Sequence, residues 1–167
     1  IRLWHVKDGA ILHTLNGHTS AIKSVIFSPD EETLVSMSYD DVKIWRVEDG
    51  LLLRTLEVLG SNSQVTISPN GDLLALGRYD TVQIWRIVDG VLQDTLKDHS
   101  HVVDSVAFSP DGEMLASGCE DNTVRLWRVK DACRGHAPPE AVLRILEAPK
   151  PRRTVACKRS GRLWFDG

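Results

Sequence analysis

A chain of 167 residues, 42% hydrophobic and 26% charged, has the composition of a single globular domain with a sizeable core, which excludes a disordered polypeptide. Its formal net charge of -3 excludes a broadly basic nucleic-acid binder, and no apolar run approaches the ~20 residues a membrane-spanning helix needs. Three cysteines, Cys119, Cys133 and Cys157, form neither an even set nor a Cys-x-x-Cys pair. Neither a disulfide framework nor a structural zinc site is expected from them, and a reducing, cytoplasmic setting is.

The chain opens on "IRLWHVKDGA", which has no basic segment leading into an apolar signal core. Its first residue is Ile and it begins and ends inside a motif, so a piece of a longer protein is expected. From Trp4 onward the sequence repeats itself. Segments "IRLWHVKDG", "VKIWRVEDG", "VQIWRIVDG" and "VRLWRVKDA" place Trp4, Trp45, Trp85 and Trp127 about 40 residues apart. Ahead of the last three lie "SVIFSPDEETLVS", "QVTISPNGDLLAL" and "SVAFSPDGEMLAS".

Each unit holds four short runs rich in Val, Ile and Leu separated by turn residues, and runs this short read as strands rather than helices. We label them a to d. In the best copy, a is "VVDSVAFS", b is "EMLASGC" and c is "TVRLWRV". Asp8-Gly9, Asp49-Gly50 and Asp89-Gly90 suit tight c–d hairpins, because Asp followed by Gly tolerates the positive φ such turns require. Asn70-Gly71 and Asp111-Gly112 do the same between a and b.

Four-stranded antiparallel units of this length, with a Trp closing strand c, resemble the WD-repeat (WD40) family of β-propellers. The resemblance covers nearly the whole chain and implies an all-β fold, a partial propeller of four-stranded blades. The Asp that follows Trp in the family is replaced throughout, by His5, Arg46, Arg86 and Arg128. The units read as a half blade (c, d) in 1–16, whole blades in 17–58, 59–97 and 98–148, and a half blade (a, b) in 149–167. The fourth carries a c–d insertion at 133–140. A ring of seven such units needs about 290 residues, so an arc cut from a larger ring is expected ahead of closure into four blades. The closing segment "TVACKRSGRLWFDG" lies without gaps over "SVAFSPDGEMLASG", which makes it an a–b hairpin.

The family further implies a buried hydrogen-bond chain in each blade, linking a His, a strand-b hydroxyl, the strand-c Trp and an Asp of the b–c turn. Carried over by position, the second blade has His18, Ser38, Asp40 and Trp45. The fourth has His99, Asp121 and Trp127 with Cys119 at the hydroxyl, and the third has Asp80 and Trp85 with Arg78 there and "LGSNS" for Gly-His. The third blade is therefore expected to open most easily. Ser, His and Asp are catalytic in type, but they recur once per blade at positions the fold defines, which makes them structural.

Cys133 and His136 supply at most half a metal site and belong to the loop insertion, where Arg134 and His136 are candidate recognition residues. Basic residues with adjacent aromatics in 150–162 and at Trp164 and Phe165 offer nucleic acid a weak footing, and packing of an ordinary hairpin explains them better. Arg46, Arg86 and Arg128 are expected to line up on successive blades as a polar rim with Asp49 and Asp89. No phosphate loop, paired-carboxylate motif or zinc signature is present, so no cofactor, metal or catalytic residue is expected. The reading is a non-catalytic scaffold that binds other proteins, not membranes, within a larger signalling or regulatory protein. The alternative is an accessory propeller of an enzyme whose catalytic domain lies outside these residues.

Overall fold

The computed structural model describes residues 1–58, 62–129 and 142–147, and every regular element among them is a strand. β1 (Arg2–Trp4) and β2 (Ile11–Thr14) form a two-stranded sheet. Three four-stranded antiparallel sheets follow. The first holds β3 (Ile22–Phe27), β4 (Thr33–Ser38), β5 (Asp41–Arg46) and β6 (Leu52–Glu57). The next holds β7 (Asn62–Ile67), β8 (Leu73–Arg78), β9 (Thr81–Arg86) and β10 (Val91–Lys97). The last holds β11 (Val103–Phe108), β12 (Met114–Cys119), β13 (Thr123–Arg128) and β14 (Val142–Glu147). We call these four sheets, in order, the first to the fourth. Each is a meander in which sequence neighbours pair, as the turn spacing requires, and the sheets form an open array. The expected a–b half blade at 149–167 and the insertion at 133–140 lie outside the described residues.

The central strands of the second and third sheets are apolar on both sides because both faces of these sheets are covered. Successive side chains of a strand point to opposite faces. In β4, Leu34 joins a core with Leu3, Leu15 and Trp45, whereas Val35 and Met37 join another with Val65, Ile67, Leu74 and Leu76 of the third sheet. In β8, Leu74 and Leu76 look back to the second sheet, while Ala75 looks forward to Val103, Val106, Leu115 and Trp127 of the fourth. Every core is thus shared by two consecutive sheets. With each buried Val, Leu or Ile worth roughly 1.5–3 kcal/mol, the sheets depend on stacking for stability.

Turns fix the register. Ser28, Ser68 and Ser109 each accept at Oγ a backbone N–H five residues on, from Thr33, Leu73 and Met114, all at 2.9 Å. Gly71 and Gly112 then take φ values of 79° and 71°. At the equivalent place in the second sheet a non-glycine, Glu31, is held at φ 63°. On the c–d side Gly50 (φ 72°) and Gly90 (φ 70°) have a further constraint. A Cβ on Gly50 would lie 2.9 Å from Leu15 Cδ2, and one on Gly90 would lie 2.7 Å from Arg54 Cδ. These turns therefore dock against strand d of the preceding sheet, where Arg54 Nη2 donates to the Val88 carbonyl at 2.6 Å.

Candidate functional site: the blade networks and the hairpin rim

In the second sheet, Trp45 on β5 donates its indole Nε1–H to Ser36 Oγ at 2.8 Å. His18 Nε2 lies 2.6 Å from the same Oγ, and His18 Nδ1 lies 2.5 Å from Asp41 Oδ1. The fourth sheet repeats the arrangement: Trp127 Nε1 to Ser117 Oγ at 2.8 Å, His99 Nε2 to Ser117 Oγ at 2.7 Å, and His99 Nδ1 to Asp121 Oδ2 at 2.9 Å. With both serines accepting from an indole, their hydroxyl protons are directed to the imidazole Nε2 and the ring N–H at Nδ1 to the carboxylate. Every polar group then has a partner, as burial demands.

Two of the positions inferred from sequence shift. The hydroxyl of the second sheet is Ser36, not Ser38, and the carboxylate is Asp41, not Asp40. Ser36 and Ser38 share a face of β4, but only Ser36 lies within reach of Trp45. Ser38 instead donates to Asp41 Oδ1 at 2.6 Å and accepts from the Asp40 and Asp41 amides at 3.2 Å, which caps the b–c turn. Cys119 stands at the Ser38 position, so it replaces that cap and leaves the network intact: Ser117 supplies the hydroxyl. Its Sγ donates to the His101 carbonyl at 3.1 Å. In the third sheet the hydroxyl position is Leu76, fully buried, rather than Arg78. Asp80 is exposed like Asp40, and Trp85 Nε1 donates to Gln83 Oε1 at 3.3 Å.

A buried residue two before each Trp was not singled out in the sequence. Lys43, Gln83 and Arg125 occupy it, each nearly inaccessible. Lys43 Nζ lies 2.8 Å from Asp41 Oδ2 and donates to Thr55 Oγ1 at 3.1 Å. Arg125 donates from Nε to Asp98 Oδ2 and from Nη1 to Asp121 Oδ2, both at 2.8 Å, and Nη1 also contacts His99 Nδ1. A cation inside an otherwise apolar strand was the available signal, since a buried charge must be paired. Burial raises the Asp121 carboxyl, but hydrogen bonds from Thr123, His99 and Arg125 outweigh it and hold the group well below the ordinary carboxylate value. Asp41 is lowered in the same way by Lys43, Ser38 and His18 against the effect of burial. Burial pushes the His99 pKa down; Asp121 opposes this and the Arg125 charge adds to it.

His99, Cys119 and Asp121 bring three ligand-type atoms within 4.8 Å of one another. The Arg125 guanidinium already engages Asp121 and His99, so a positive group stands where a metal ion would.

Arg46 and Arg86 each clamp their own c–d hairpin. Arg46 donates from Nε and Nη2 to both oxygens of Asp49, at 3.0 and 2.8 Å. Arg86 does the same with Asp89, at 3.0 and 2.5 Å, and His5 Nδ1 lies 2.9 Å from Asp8 Oδ1. Each Asp also accepts the backbone N–H two residues on, from Ala10, Leu51 or Val91. The residue after Trp therefore closes the c–d turn onto its Asp-Gly, which explains why Arg or His serves here. Arg128 is exposed; Arg134 and His136 lie outside the described residues.

The stacked meanders and twin networks define a propeller of WD type, and the comparisons agree. The family model described as "WD domain, G-beta repeat" matches residues 9–46 and 90–128. The chain is 29% identical, over 98% of its length, to the target of rapamycin complex subunit wat1 of Schizosaccharomyces pombe, of which it covers 40%. It is 36% identical, over 70% of its length, to the ribosome biogenesis protein WDR12 homolog of Trichoplax adhaerens, covering 29% of that protein. Among solved structures, U3-55K matches with a TM-score of 0.70 at 24% identity, over 81% of this chain and 42% of that one. The RRP9 WD40 repeats match with the same TM-score at 25% identity, over 80% and 41%. The chain belongs to the WD-repeat family and spans less than half the length of these relatives. Proteins of this family generally mediate protein interactions.

Proposed function

We propose that this chain is a non-catalytic platform on which other proteins dock, acting in the cytoplasm as part of a larger signalling or regulatory protein. The observation that carries the reading is how its reactive side chains are used. Ser117 accepts the Trp127 indole and faces His99 in a buried network, and Ser36 sits likewise between Trp45 and His18. Both hydroxyls are buried, and the set occurs twice among the described residues, in the second and fourth sheets, whereas a hydrolase uses one such set. What remains exposed is turns on two faces held at fixed spacing, a rigid surface suited to recognition. Two relatives carry assembly names, the target of rapamycin complex subunit and the small ribosomal subunit protein RACK1y of Oryza sativa, which supports the same reading.

The test has two arms. A fluorophosphonate probe is expected to leave Ser36 and Ser117 unlabelled in the folded chain; stoichiometric labelling of either one overturns the non-catalytic reading. Quantitative affinity capture then compares the wild type with a variant reversed in charge at the c–d rim (Arg46→Glu, Arg86→Glu, Arg128→Glu). Loss of specific partners from the folded variant is expected, and an unchanged set removes the rim from the docking surface.

A further inference from the structure

The chain's two tyrosines stand at equivalent places on consecutive sheets. A two-residue b–c turn, Tyr39-Asp40, joins β4 to β5, and another, Tyr79-Asp80, joins β8 to β9. All four residues are exposed, Tyr39 by 42% and Tyr79 by 49%. Tyr79 is exposed although its sheet has a neighbour on either side: its carbonyl accepts the Val103 N–H of the fourth sheet at 2.7 Å. An aromatic ring with a polar tip, left outside twice at one position of the fold, is suited to contact.

Each ring already carries a cation of its own chain. Lys23 Nζ lies 4.2 Å from the Tyr39 ring centroid, and the Arg78 guanidinium lies 5.8 Å from that of Tyr79, both inside the ~6 Å over which an aromatic face attracts positive charge. The surroundings favour more of it. The bond from Val103 to Tyr79 brings the next residue, Asp104, to the same turn, and Glu120 donates its N–H to the Val102 carbonyl at 3.0 Å, which adds a carboxylate from the b–c turn of the fourth sheet. Asp40, Asp80, Asp104 and Glu120 are exposed, and among the described residues no side-chain hydrogen bond or ion pair engages them. Glu57 and Lys97, exposed at the same end of β6 and β10, offset one another. Free carboxylates thus outnumber the two cations, and both cations lie on the rings. A surface of one sign draws ligands of the other.

We infer that the b–c end of the second, third and fourth sheets docks an arginine- or lysine-rich segment of a partner protein, with a cationic side chain seated on Tyr79 or Tyr39 and the neighbouring carboxylates matching the charges beside it. This rests on the reading of the chain as a docking platform and assigns that platform one face and one partner chemistry. Lys23 marks the place of such a side chain on Tyr39 and competes for it. Arginine suits the rings better than lysine, because a planar guanidinium stacks on an aromatic face. A nucleic acid, which brings a negative charge at every phosphate, meets carboxylates of like sign.

The experiment measures fluorescence anisotropy of a labelled peptide of alternating arginine and glycine titrated with the full 167-residue chain, beside a peptide of alternating glutamate and glycine. Binding of the first and not the second is expected. Tyr79→Leu and Tyr39→Leu should each weaken it about two- to fivefold, the loss of one exposed cation–aromatic contact, whereas Tyr79→Phe, which keeps the ring, should not. Asp80→Asn, Asp104→Asn and Glu120→Gln combined should weaken it at least about tenfold. Glu31→Gln, Glu32→Gln and Glu48→Gln, which remove equal charge from the opposite end of the second sheet, should leave it unchanged, and Lys23→Ala should tighten it. These side chains are exposed, so the circular dichroism spectrum of each variant should match the wild type. Absence of binding overturns the inference, and so does binding that is indifferent to both tyrosines or that follows the charges of the opposite end. A chain that captures partner proteins while leaving the arginine peptide free overturns this assignment and keeps the platform reading; failure of both removes both.

Discussion

Trp127 donates its indole N–H to Ser117, and Trp45 donates to Ser36, at the same 2.8 Å. Two sheets separated by one that lacks the network thus hold it with matching geometry, and the serine is its hub. Removing either hydroxyl strands an indole donor and an imidazole nitrogen. Ser36→Ala and Ser117→Ala should each destabilise the chain by about 1–3 kcal/mol. Cys119→Ser, which restores only a turn cap, should stay within about 0.5 kcal/mol. Urea unfolding followed by tryptophan fluorescence measures all three, and a Ser36→Ala cost no larger than that of Cys119→Ser would place the network elsewhere.

Glu31 occupies a left-handed conformation that costs a residue with a side chain about 1 kcal/mol more than glycine. Glu31→Gly should raise stability by about 0.5–1 kcal/mol, read as a higher urea midpoint. Gly71→Ala should lower it by a similar amount. Nothing lies within 4 Å of the added Cβ at Gly71, so that loss isolates the backbone contribution.

Acid should destabilise the fold in two stages. His99 has its pKa lowered from 6.5 by burial, so the unfolded chain takes up a proton there more readily than the folded one. Stability from this group is complete above about pH 6.5 and declines as pH falls from there through the lowered value. Asp121 and Asp41, both lowered from 3.8, add a second decline below about pH 4. Melting temperature against pH should show both, and His99→Gln should flatten the upper one. An upper limb as steep in that variant would assign it to another group.

From sequence, the third sheet is the one that opens most easily, because it lacks both the His and the hydroxyl. The coordinates add a stabilising contribution. Leu76 fills the hydroxyl position completely buried, between two cores that cover both faces of its sheet. Replacing a buried polar network with packed apolar groups is often neutral or favourable. Native-state hydrogen exchange is expected to show β8 and β9 protected at least as well as β4 and β5. Faster exchange in the third sheet would make the polar network the deciding factor.

Most of the architecture was legible because strands a to d, their turns and the Trp recur together, and the cores follow from period-2 alternation once both faces are known to be covered. Network membership was legible only in part. Ser36 and Ser38 sit two apart on one face, so periodicity cannot choose between them, whereas the pairing of Leu34 with Trp45 and Ser36 with Lys43 does. Asp40 and Asp41 are adjacent, and the choice turns on loop length. Two residues separate β4 from β5, whereas three separate β12 from β13, so the carboxylate opens the strand in one sheet and lies in the turn in the other. The tie of Arg46 to Asp49 and of Arg86 to Asp89 depends on turn geometry that sequence does not carry.

The shared cores have a consequence for how such a chain can grow. The matched repeats, 9–46 and 90–128, each begin at the outermost strand of one sheet and end inside the next. The unit of sequence matched as a repeat is therefore offset from the sheet that folds. Copying it once more inserts a whole sheet while leaving every existing strand its partner, and the covalent link across each boundary keeps neighbours in register. Lengthening by duplication thus leaves intact the interfaces on which the array depends.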